Sequence, residues 1–420
     1  MFELLQELDS IVMFEGELTL AEVLENIDHP SKWYDIQGFA FRNESGIIIN
    51  KPRPLIQDLD SLPYVFRDSS FEKIVGIKTA HLLASRGCLH NCSFCSIRQF
   101  YGNFKGPLRR TRSPKSVVEE MYLLFVQDDI RFFSFQDDDF AYLSPSQKKW
   151  IHSFLDELRR KNLGGKIKWK ISCRADDFDL DTLVRMKEQG LSAVYLGIES
   201  GNISGLKTLN KGTTIEQNLN AVKQIKLAGL YISIGFMLFD PSSTFDSVRE
   251  NLNFLRTISS DGYFPINFCK MLPYAGTPIE KLLKNTNRLK GTAIQSDYDF
   301  LDPLLNIYFY FVQKMITQRN FNESGLFALM QDADFGSYLM CLLNPDKKNI
   351  SYREKVTGLI ARANIQVIDT LERLMDFILS KNIEEIVNNS DEITAIAEEE
   401  WRTENEIEIG LIELQRSNPF

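Results

Sequence analysis

The segment Arg86-Gly87-Cys88-Leu89-His90-Asn91-Cys92-Ser93-Phe94-Cys95 carries the most informative pattern in the chain. It holds three of the six cysteines with the spacing Cys-x3-Cys-x2-Cys. Thiols placed this close together in a chain with few cysteines are typical of a metal site. Structural zinc usually takes four protein ligands, whereas three thiolates hold three irons of a [4Fe–4S] cube and leave the fourth open. The pattern therefore favours a reactive cluster.

The spacing, with the aromatic Phe94 directly before the last cysteine, resembles the radical S-adenosylmethionine (radical SAM) superfamily. The resemblance implies that Cys88, Cys92 and Cys95 bind the cluster and that S-adenosylmethionine (AdoMet) chelates the open iron. It also implies an enzyme that cleaves AdoMet reductively to a 5′-deoxyadenosyl radical, which then removes a substrate hydrogen. The alternative is a zinc knuckle completed by His90 or by a remote residue.

The composition is that of an ordinary globular protein. Of the 420 residues, 44% are hydrophobic and 25% are charged. The chain is long enough for two or three domains. A net charge of −9 argues against a nucleic-acid surface, and the basic cluster at 109–112 is interpreted as a solvated loop. The acidic first nine residues do not resemble a signal peptide, and the apolar run 307–312 is too short to span a bilayer. We therefore expect a cytoplasmic protein without nucleic-acid or membrane partners.

From residue 79 to about 280, β-branched or aromatic runs alternate with amphipathic helical stretches. Six βα units in series predict an α/β fold with a partial (β/α)6 TIM-like barrel, the fold that the resemblance also implies. A doubly wound open sheet has a similar pattern and is the alternative. Strands are predicted near 79–85, 131–136, 168–173, 193–199, 231–238 and 268–272, and helices near 114–126, 145–161, 181–189, 214–228 and 244–258.

Three domains are expected, with the barrel at 73–285. The short α/β N-terminal segment, 1–72, has a predicted strand near 8–13, a helix whose Thr19 and Glu22 form a capping box, and a hairpin at Gly46. It resembles the end of the cobalamin-binding domain, and the linker after it, in cobalamin-type (class B-like) radical SAM proteins, with most of that domain missing. His29 lacks the glycine of the family's Asp-x-His-x-x-Gly motif, so cobalamin is not expected.

The C-terminal region, 286–420, is predicted to be mainly helical. We expect it to cap the barrel and to shape the substrate pocket. Its acidic residues at 398–400 and 404–408 are predicted to form a solvated helix face.

Several residues at the predicted strand ends are assigned to AdoMet by the resemblance. An acidic turn follows the second strand at the position of the family's glycine-rich motif, and Arg174 after the third strand is suited to a carboxylate. The alternative for Arg174 is a salt bridge to Asp176 or Asp177. Glu199 is assigned to the ribose hydroxyls, and Met237 to an apolar adenine wall or to the core. The expected cofactor contacts are Phe94, Gln136, Asp137, Asp138, Arg174, Glu199, Ser200, Lys211 and Met237.

The sequence gives less information about the reaction that follows hydrogen abstraction. Without cobalamin, the sequence favours a non-methylating tailoring reaction, such as dehydration, epimerisation, cyclisation or oxidation, on a natural-product or sugar-like substrate. Cys269, on the last strand, is the best-placed spare cysteine for a hydrogen donor, with a structural role as the alternative. Expected partners are a small-molecule or peptide substrate and a reductant such as flavodoxin or ferredoxin. A cobalamin-dependent methyltransferase with a separately supplied cobalamin domain, and a non-catalytic scaffold with a structural metal, remain alternatives.

Overall fold

The computed structural model describes residues 7–417 except 69, 103, 105, 142, 143, 293 and 389, and no side chains at 387, 388 and 390. Residues 1–6 and 418–420, which the sequence analysis placed in the N-terminal and C-terminal segments, lie outside the described residues.

The main β-sheet has the strand order β12-β11-β10-β9-β8-β5-β4. Its strands from β5 to β12 pair in parallel with their neighbours along the chain, and β4 is antiparallel to β5. Because this order never reverses, the doubly wound alternative is excluded, and the curled sheet confirms the partial barrel. The strands are β1 (Ser10–Val12), β2 (Phe39–Asn43), β3 (Gly46–Ile49), β4 (Lys73–Ile74), β5 (Ile77–Leu82), β6 (Ser85–Arg86), β7 (Arg110–Thr111), β8 (Phe132–Phe135), β9 (Lys168–Arg174), β10 (Leu191–Glu199), β11 (Tyr231–Phe239), β12 (Cys269–Lys270), β13 (Leu289–Gly291) and β14 (Ser296–Tyr298).

The helices begin close to where the sequence predicts them. Ser113 and Ser144 cap α3 and α4 by accepting hydrogen bonds from backbone N–H groups, and a proline follows each cap. The C-terminal region is mainly helical, as expected. The helices are α1 (Glu17–Glu25), α2 (Ile97–Gly102), α3 (Pro114–Gln127), α4 (Pro145–Arg160), α5 (Leu180–Glu188), α6 (Ile203–Thr208), α7 (Ile215–Leu227), α8 (Phe245–Ser259), α9 (Pro278–Asn285), α10 (Pro303–Phe321), α11 (Leu326–Leu343), α12 (Lys347–Leu379), α13 (Ile383–Asn388) and α14 (Ser390–Ser417).

The outer face of the sheet packs against the barrel helices. On β9, the side chains of Trp169, Ile171 and Cys173 are buried in the main hydrophobic core. The intervening residues of the same strand point to the inner, concave face, because successive strand residues alternate between faces. The barrel therefore has an apolar outer layer and a more polar lumen.

Helix α11 closes the floor of this lumen. Its Tyr338 and Leu339 pack with Phe132, Ala193 and Tyr231, which come from the inner face of three strands. The hydroxyl of Tyr338 donates a hydrogen bond to a carbonyl near the start of β10, at 2.8 Å. The C-terminal helices thus seal the end of the barrel at which the strands begin, and the opposite end remains available to ligands.

The N-terminal segment forms a small antiparallel sheet in the order β1-β2-β3. The hairpin at Gly46 is present, and this residue has a φ of 122°, which glycine adopts without strain. The predicted capping box is wrong, because the helix begins at Glu17 with Gly16 as its N-cap. Thr19 is instead buried, and its hydroxyl donates to the carbonyl of Gln37. The expected relation of this segment to a cobalamin-binding domain stays a prediction, as do the three domain limits.

The basic cluster at 109–112 is not a solvated loop. Arg110 is buried and forms two hydrogen bonds of 2.9 Å with the carboxylate of Glu15, which also pairs with Arg86. Burial favours the neutral acid, but these partners and the backbone N–H of Ile56 outweigh it and lower the pKa of Glu15. The cluster therefore attaches the N-terminal segment to the barrel.

The acidic face predicted for the last helix is only partly solvated. Glu400 is 1% exposed and accepts a hydrogen bond from Thr370. Glu404 lies 3.4 Å from the buried guanidinium of Arg319, and burial raises the pKa of Glu404 to about 7. These acids thus fasten α14 to its neighbours. None of the described helices combines the length and the hydropathy that a membrane span requires.

Candidate active site

The three clustered cysteines lie in the loop between β6 and α2, beside the C-terminal ends of the barrel strands. Their thiols are reduced and half-buried. Burial raises the pKa of Cys88 to about 12, and it also raises the pKa values of Cys92 and Cys95. Such buried thiols lose their protons readily only when a cation binds, which is how metal binding couples to thiol ionisation.

The spacing of the sulfur atoms tests the zinc alternative. In a tetrahedral zinc site with Zn–S bonds of about 2.3 Å, the sulfurs are about 3.8 Å apart. Among the described residues, the three cysteine sulfurs are not all within 4.8 Å of one another, with or without His90. The ring nitrogen Nε2 of His90 instead lies 3.5 Å from the carboxylates of both Asp139 and Asp177. The donor set therefore fits a wider cluster better than a single zinc ion.

The acidic turn after β8 holds the cysteine loop. Asp137 is buried, and its two oxygens accept hydrogen bonds from the hydroxyl of Ser85 at 2.5 Å and the N–H of Ala84 at 3.0 Å. Burial raises the pKa of Asp137 to about 6, although these bonds oppose the shift. The Asp137 carboxylate is thus turned into the protein, and its expected contact with AdoMet stays a prediction.

The next two acids of the turn act further along the same loop. Asp138 accepts a hydrogen bond of 2.7 Å from the N–H of Gly87, whose φ of 84° is left-handed. A Cβ atom at Gly87 would lie 1.8 Å from the carbonyl oxygen of Leu108, so only glycine fits. Asp139 faces His90, and burial together with the nearby Asp177 carboxylate raises the pKa of Asp139 well above its usual value. We call Asp137, Asp138 and Asp139 the acid clamp.

Arg174 lies at the end of β9, in contact with the cysteine loop. Its guanidinium forms a two-pronged pair with Asp176, at 2.9 and 3.0 Å, which is the salt-bridge alternative of the sequence analysis. It also donates to the carbonyl of Lys211 at 2.5 Å and lies 3.5 Å from the sulfur of Cys92. The charges of Lys211 and Arg174 act against the burial that raises the Cys92 pKa. Arg174 therefore favours a thiolate at this position.

Glu199 and Lys211 form an ion pair of 3.1 Å at the end of β10. Glu199 has a φ of 67°, a left-handed conformation that is unusual outside glycine, at a bulge in the pairing of β10 with β11. The neighbouring Gly197 leaves room for this pair, because a Cβ there would lie 2.8 Å from the carboxylate and 3.0 Å from the ammonium. Strained backbone of this kind is concentrated at ligand sites.

The remaining predicted contacts differ in their accessibility. Phe94 is partly buried against the main core, and Met237 is a buried core residue. Gln136 is exposed on the inner face and hydrogen-bonds to His81. Ser200 is fully buried in a network with two asparagines, so its hydroxyl is not open to a ligand.

Cys269 lies on β12, the edge strand of the sheet, which pairs with β11. It is partly buried, and burial together with the charge of Glu199 raises the pKa of its thiol to about 11. It also lines a cavity of about 500 Å³ with aromatic side chains from α10. A hydrogen-donor role for Cys269 stays a prediction.

Residues 82–255 match the family model of the radical SAM superfamily. This part of the chain is a radical SAM domain. The structure of the cobalamin-dependent S-adenosylmethionine radical enzyme OxsB with aqua-cobalamin bound aligns with 99% of this chain and 66% of that chain. The TM-score is 0.68 at 19% identity, so the likeness shows a shared fold. The resemblance to the cobalamin-type branch is therefore confirmed at the level of the fold.

Two curated proteins that are similar to this chain have names that describe different reactions. An uncharacterized methyltransferase from Pyrococcus horikoshii is 30% identical over 304 residues, which are 71% of this chain and 63% of the relative. The anaerobic magnesium-protoporphyrin IX monomethyl ester cyclase of Rubrivivax gelatinosus is 30% identical over 288 residues, 65% of this chain and 50% of the relative. The chain spans less than two thirds of the length of either relative.

Sequence reasoning missed the supports of the radical SAM site. The acidic turn supports the cysteine loop through the hydrogen bond from the Gly87 N–H to Asp138, and the expected AdoMet contact of Asp138 stays a prediction. The position of Tyr195 has no signal in the sequence: its ring lies over Gly235, where a Cβ would be 2.4 Å from the hydroxyl oxygen. The paired tyrosine and glycine on adjacent strands give a signal only once the register Tyr195 to Ser233 is known.

Proposed function

We propose that this chain is a radical SAM enzyme in which Cys88, Cys92 and Cys95 hold a [4Fe–4S] cluster. When bound, that cluster and AdoMet supply the 5′-deoxyadenosyl radical chemistry of the superfamily, which removes a hydrogen atom from the substrate. The observation that carries the proposal is the set of three half-buried thiols, spaced too widely for one zinc ion, beside Arg174 at the strand ends.

The side chains around this site have different roles. The acid clamp holds the loop that carries the thiols, and the cations of Arg174 and Lys211 offset negative charge at Cys92. Glu199 presents a carboxylate at the same edge of the sheet, suited to the hydroxyls of a ribose. Helix α11 closes the end of the lumen at which the strands begin, so a substrate enters from the end that carries the cysteine loop.

We favour a non-methylating tailoring reaction: dehydration, epimerisation, cyclisation or oxidation of a natural-product or sugar-like substrate. A relative named as a cyclase supports this choice, since it shows that matching sequences serve reactions other than methylation. The substrate is a small molecule or peptide, and the electron comes from a flavodoxin or ferredoxin in the cytoplasm.

A second candidate is a cobalamin-dependent methyltransferase. The aligned structure of OxsB contains aqua-cobalamin, and the Pyrococcus relative is named a methyltransferase. An anaerobic absorbance titration with hydroxocobalamin separates the candidates. A saturable spectral change at one equivalent supports the second, and an unchanged cobalamin spectrum supports the first.

The test of the proposed function is AdoMet cleavage by the anaerobically reconstituted protein. We expect dithionite-dependent release of 5′-deoxyadenosine, quantified by liquid chromatography, and its loss in Cys92→Ala. Cys341→Ala is the matched control, because this cysteine lies on α11 away from the loop, and it should retain the activity. Equal activity in wild type and Cys92→Ala would refute the proposal.

A further inference from the structure

The inner face of β9 carries a lysine in an unusual place. The strand reads Lys168-Trp169-Lys170-Ile171-Ser172-Cys173-Arg174, and its apolar members are buried against the helices. Lys170 therefore points into the lumen, as does Arg174 two turns of the pleat further on. At about 3.3 Å per residue, the Lys170 backbone lies about 13 Å below that of Arg174, which touches the cysteine loop.

Lys170 lies just above the floor of the lumen. It pairs in register with Ser134 on β8 and Ala193 on β10, and Ala193 belongs to the layer that α11 covers. The next inner residues along the strands toward the cysteine loop are Ser172 and Tyr195, which lie opposite each other. The lumen thus forms a cup with hydroxyl groups on its wall, a lysine at its base and the cysteine loop at its rim.

The ammonium group of Lys170 has no countercharge in the described part of the chain. No hydrogen bond or ion pair to it is formed there, and burial alone lowers its pKa. Two other lysines near the ends of the strands do have anionic partners. Lys211 forms an ion pair with Glu199 at 3.1 Å, and Lys270 forms one with Asp297 at 2.7 Å. Lys170 is only partly buried, so its ammonium faces the open lumen and can pair with an anionic group that enters there.

We propose that Lys170 binds an oxyanion of the substrate, a carboxylate or a phosphate, and so orients the substrate between the floor of the lumen and the cysteine loop. This inference rests on the proposed function, because it takes the lumen to be the substrate pocket. Small molecules with one anionic end and a reactive carbon within about 13 Å of it fit the depth of the cup. The hydroxyls of Ser172 and Tyr195 are placed to contact the uncharged part of such a molecule.

The test measures the reactivity of Lys170 in the anaerobically reconstituted protein. Reductive methylation with formaldehyde and cyanoborohydride, followed by mass spectrometry, reports the rate at each lysine. We expect inorganic phosphate or acetate to slow labelling of Lys170 about tenfold, the effect of one charge-assisted hydrogen bond. Protection by phosphate alone indicates a phosphorylated substrate, and protection by acetate indicates a carboxylate. If neither anion protects Lys170, the inference is overturned.

Lys168 is the internal control. It lies on the same strand and face, but its amine is near Lys187 at the closed end of the barrel, so labelling of Lys168 should not respond to the anions. In a second experiment, added phosphate should still raise the melting temperature of the Lys170→Arg variant. It should not raise the melting temperature of the Lys170→Met variant. Release of 5′-deoxyadenosine with dithionite is measured in the wild type in parallel. Loss of that release in the wild type refutes the proposed function, whereas its presence without anion protection refutes only this inference.

Discussion

Individual side chains at the strand ends show which functional residues a sequence can reveal. The cysteines were recognisable because their spacing is itself the signal. The orientation of Asp137 and Ser200 was not, since a motif locates a residue near a site without showing which way its side chain points. Both are turned into buried hydrogen-bond networks. The need for a glycine at position 197 could not be recognised in the sequence, because it depends on the space taken by the side chains of Glu199 and Lys211.

Gly197→Ala is expected to weaken AdoMet binding about tenfold. The added methyl group would displace the Glu199–Lys211 pair, which it approaches to within 2.8 and 3.0 Å, so the carboxylate would leave its position at the rim. The loss corresponds to about one charge-assisted hydrogen bond. Equilibrium dialysis with labelled AdoMet measures it.

The control for this variant is Gly358→Ala on α12, where an added Cβ meets nothing within 4 Å. That change should leave AdoMet affinity unaltered. An unchanged affinity in Gly197→Ala would argue that Glu199 takes no part in AdoMet binding.

At the scale of elements, the alternation of strands and helices was predictable. The predicted bounds of the barrel strands and helices differ from those observed by a few residues, because the apolar periodicity and the serine-proline starts are local signals. The errors occurred where distant elements meet. Thr19, the basic cluster at 109–112 and Glu400 each have a partner remote in sequence, and each looks like an ordinary local or surface residue without it.

Asp138→Ala is expected to reduce the iron bound after reconstitution to less than half of the wild-type amount. The carboxylate holds the Gly87 N–H at 2.7 Å, and without it the start of the cysteine loop loses a charge-assisted hydrogen bond of about 1.5–3 kcal/mol. Iron per protein chain, measured by a colorimetric assay, reports the change. Asp156→Ala on the exposed face of α4 is the matched control. Full iron content in Asp138→Ala would show that the acid clamp is dispensable.

At the scale of the whole molecule, the barrel depends on the C-terminal helices for its floor. Asp334 of α11 is buried beside Arg353, and burial raises the pKa of Asp334 to about 7, although Arg353 opposes the shift. Because the folded pKa lies above the usual value of 3.8, the native state binds this proton more tightly than the unfolded chain. The resulting stabilisation is complete below about pH 4 and is lost as the pH rises through about 7.

Asp334→Asn should therefore flatten the pH dependence of stability between pH 6 and 8, since the amide does not ionise. The melting temperature of the wild type should fall more over this range than that of the variant, as followed by circular dichroism. Asp369→Asn on α12, in a partly exposed pair with Arg256 of α8, serves as the comparison and should follow the wild type. A variant with the same pH profile as the wild type would contradict a raised pKa for Asp334.

The sequence located the barrel and the cysteine loop because both rest on local patterns. The floor formed by α11 and the cup above it could not be predicted, because they depend on contacts between helices and strands separated by more than 100 residues. The same is true of Lys170, which in the sequence is one more polar residue of an alternating strand. The substrate pocket is thus a property of the whole molecule.

Mössbauer spectroscopy of the reconstituted protein shows whether the three thiolates hold a cluster with one open iron. We predict about four irons per chain in a [4Fe–4S] cluster, with the spectrum of one iron changed by addition of AdoMet. A protein that binds a single zinc ion, or an iron spectrum that AdoMet does not alter, would show that the three thiols do not hold such a cluster.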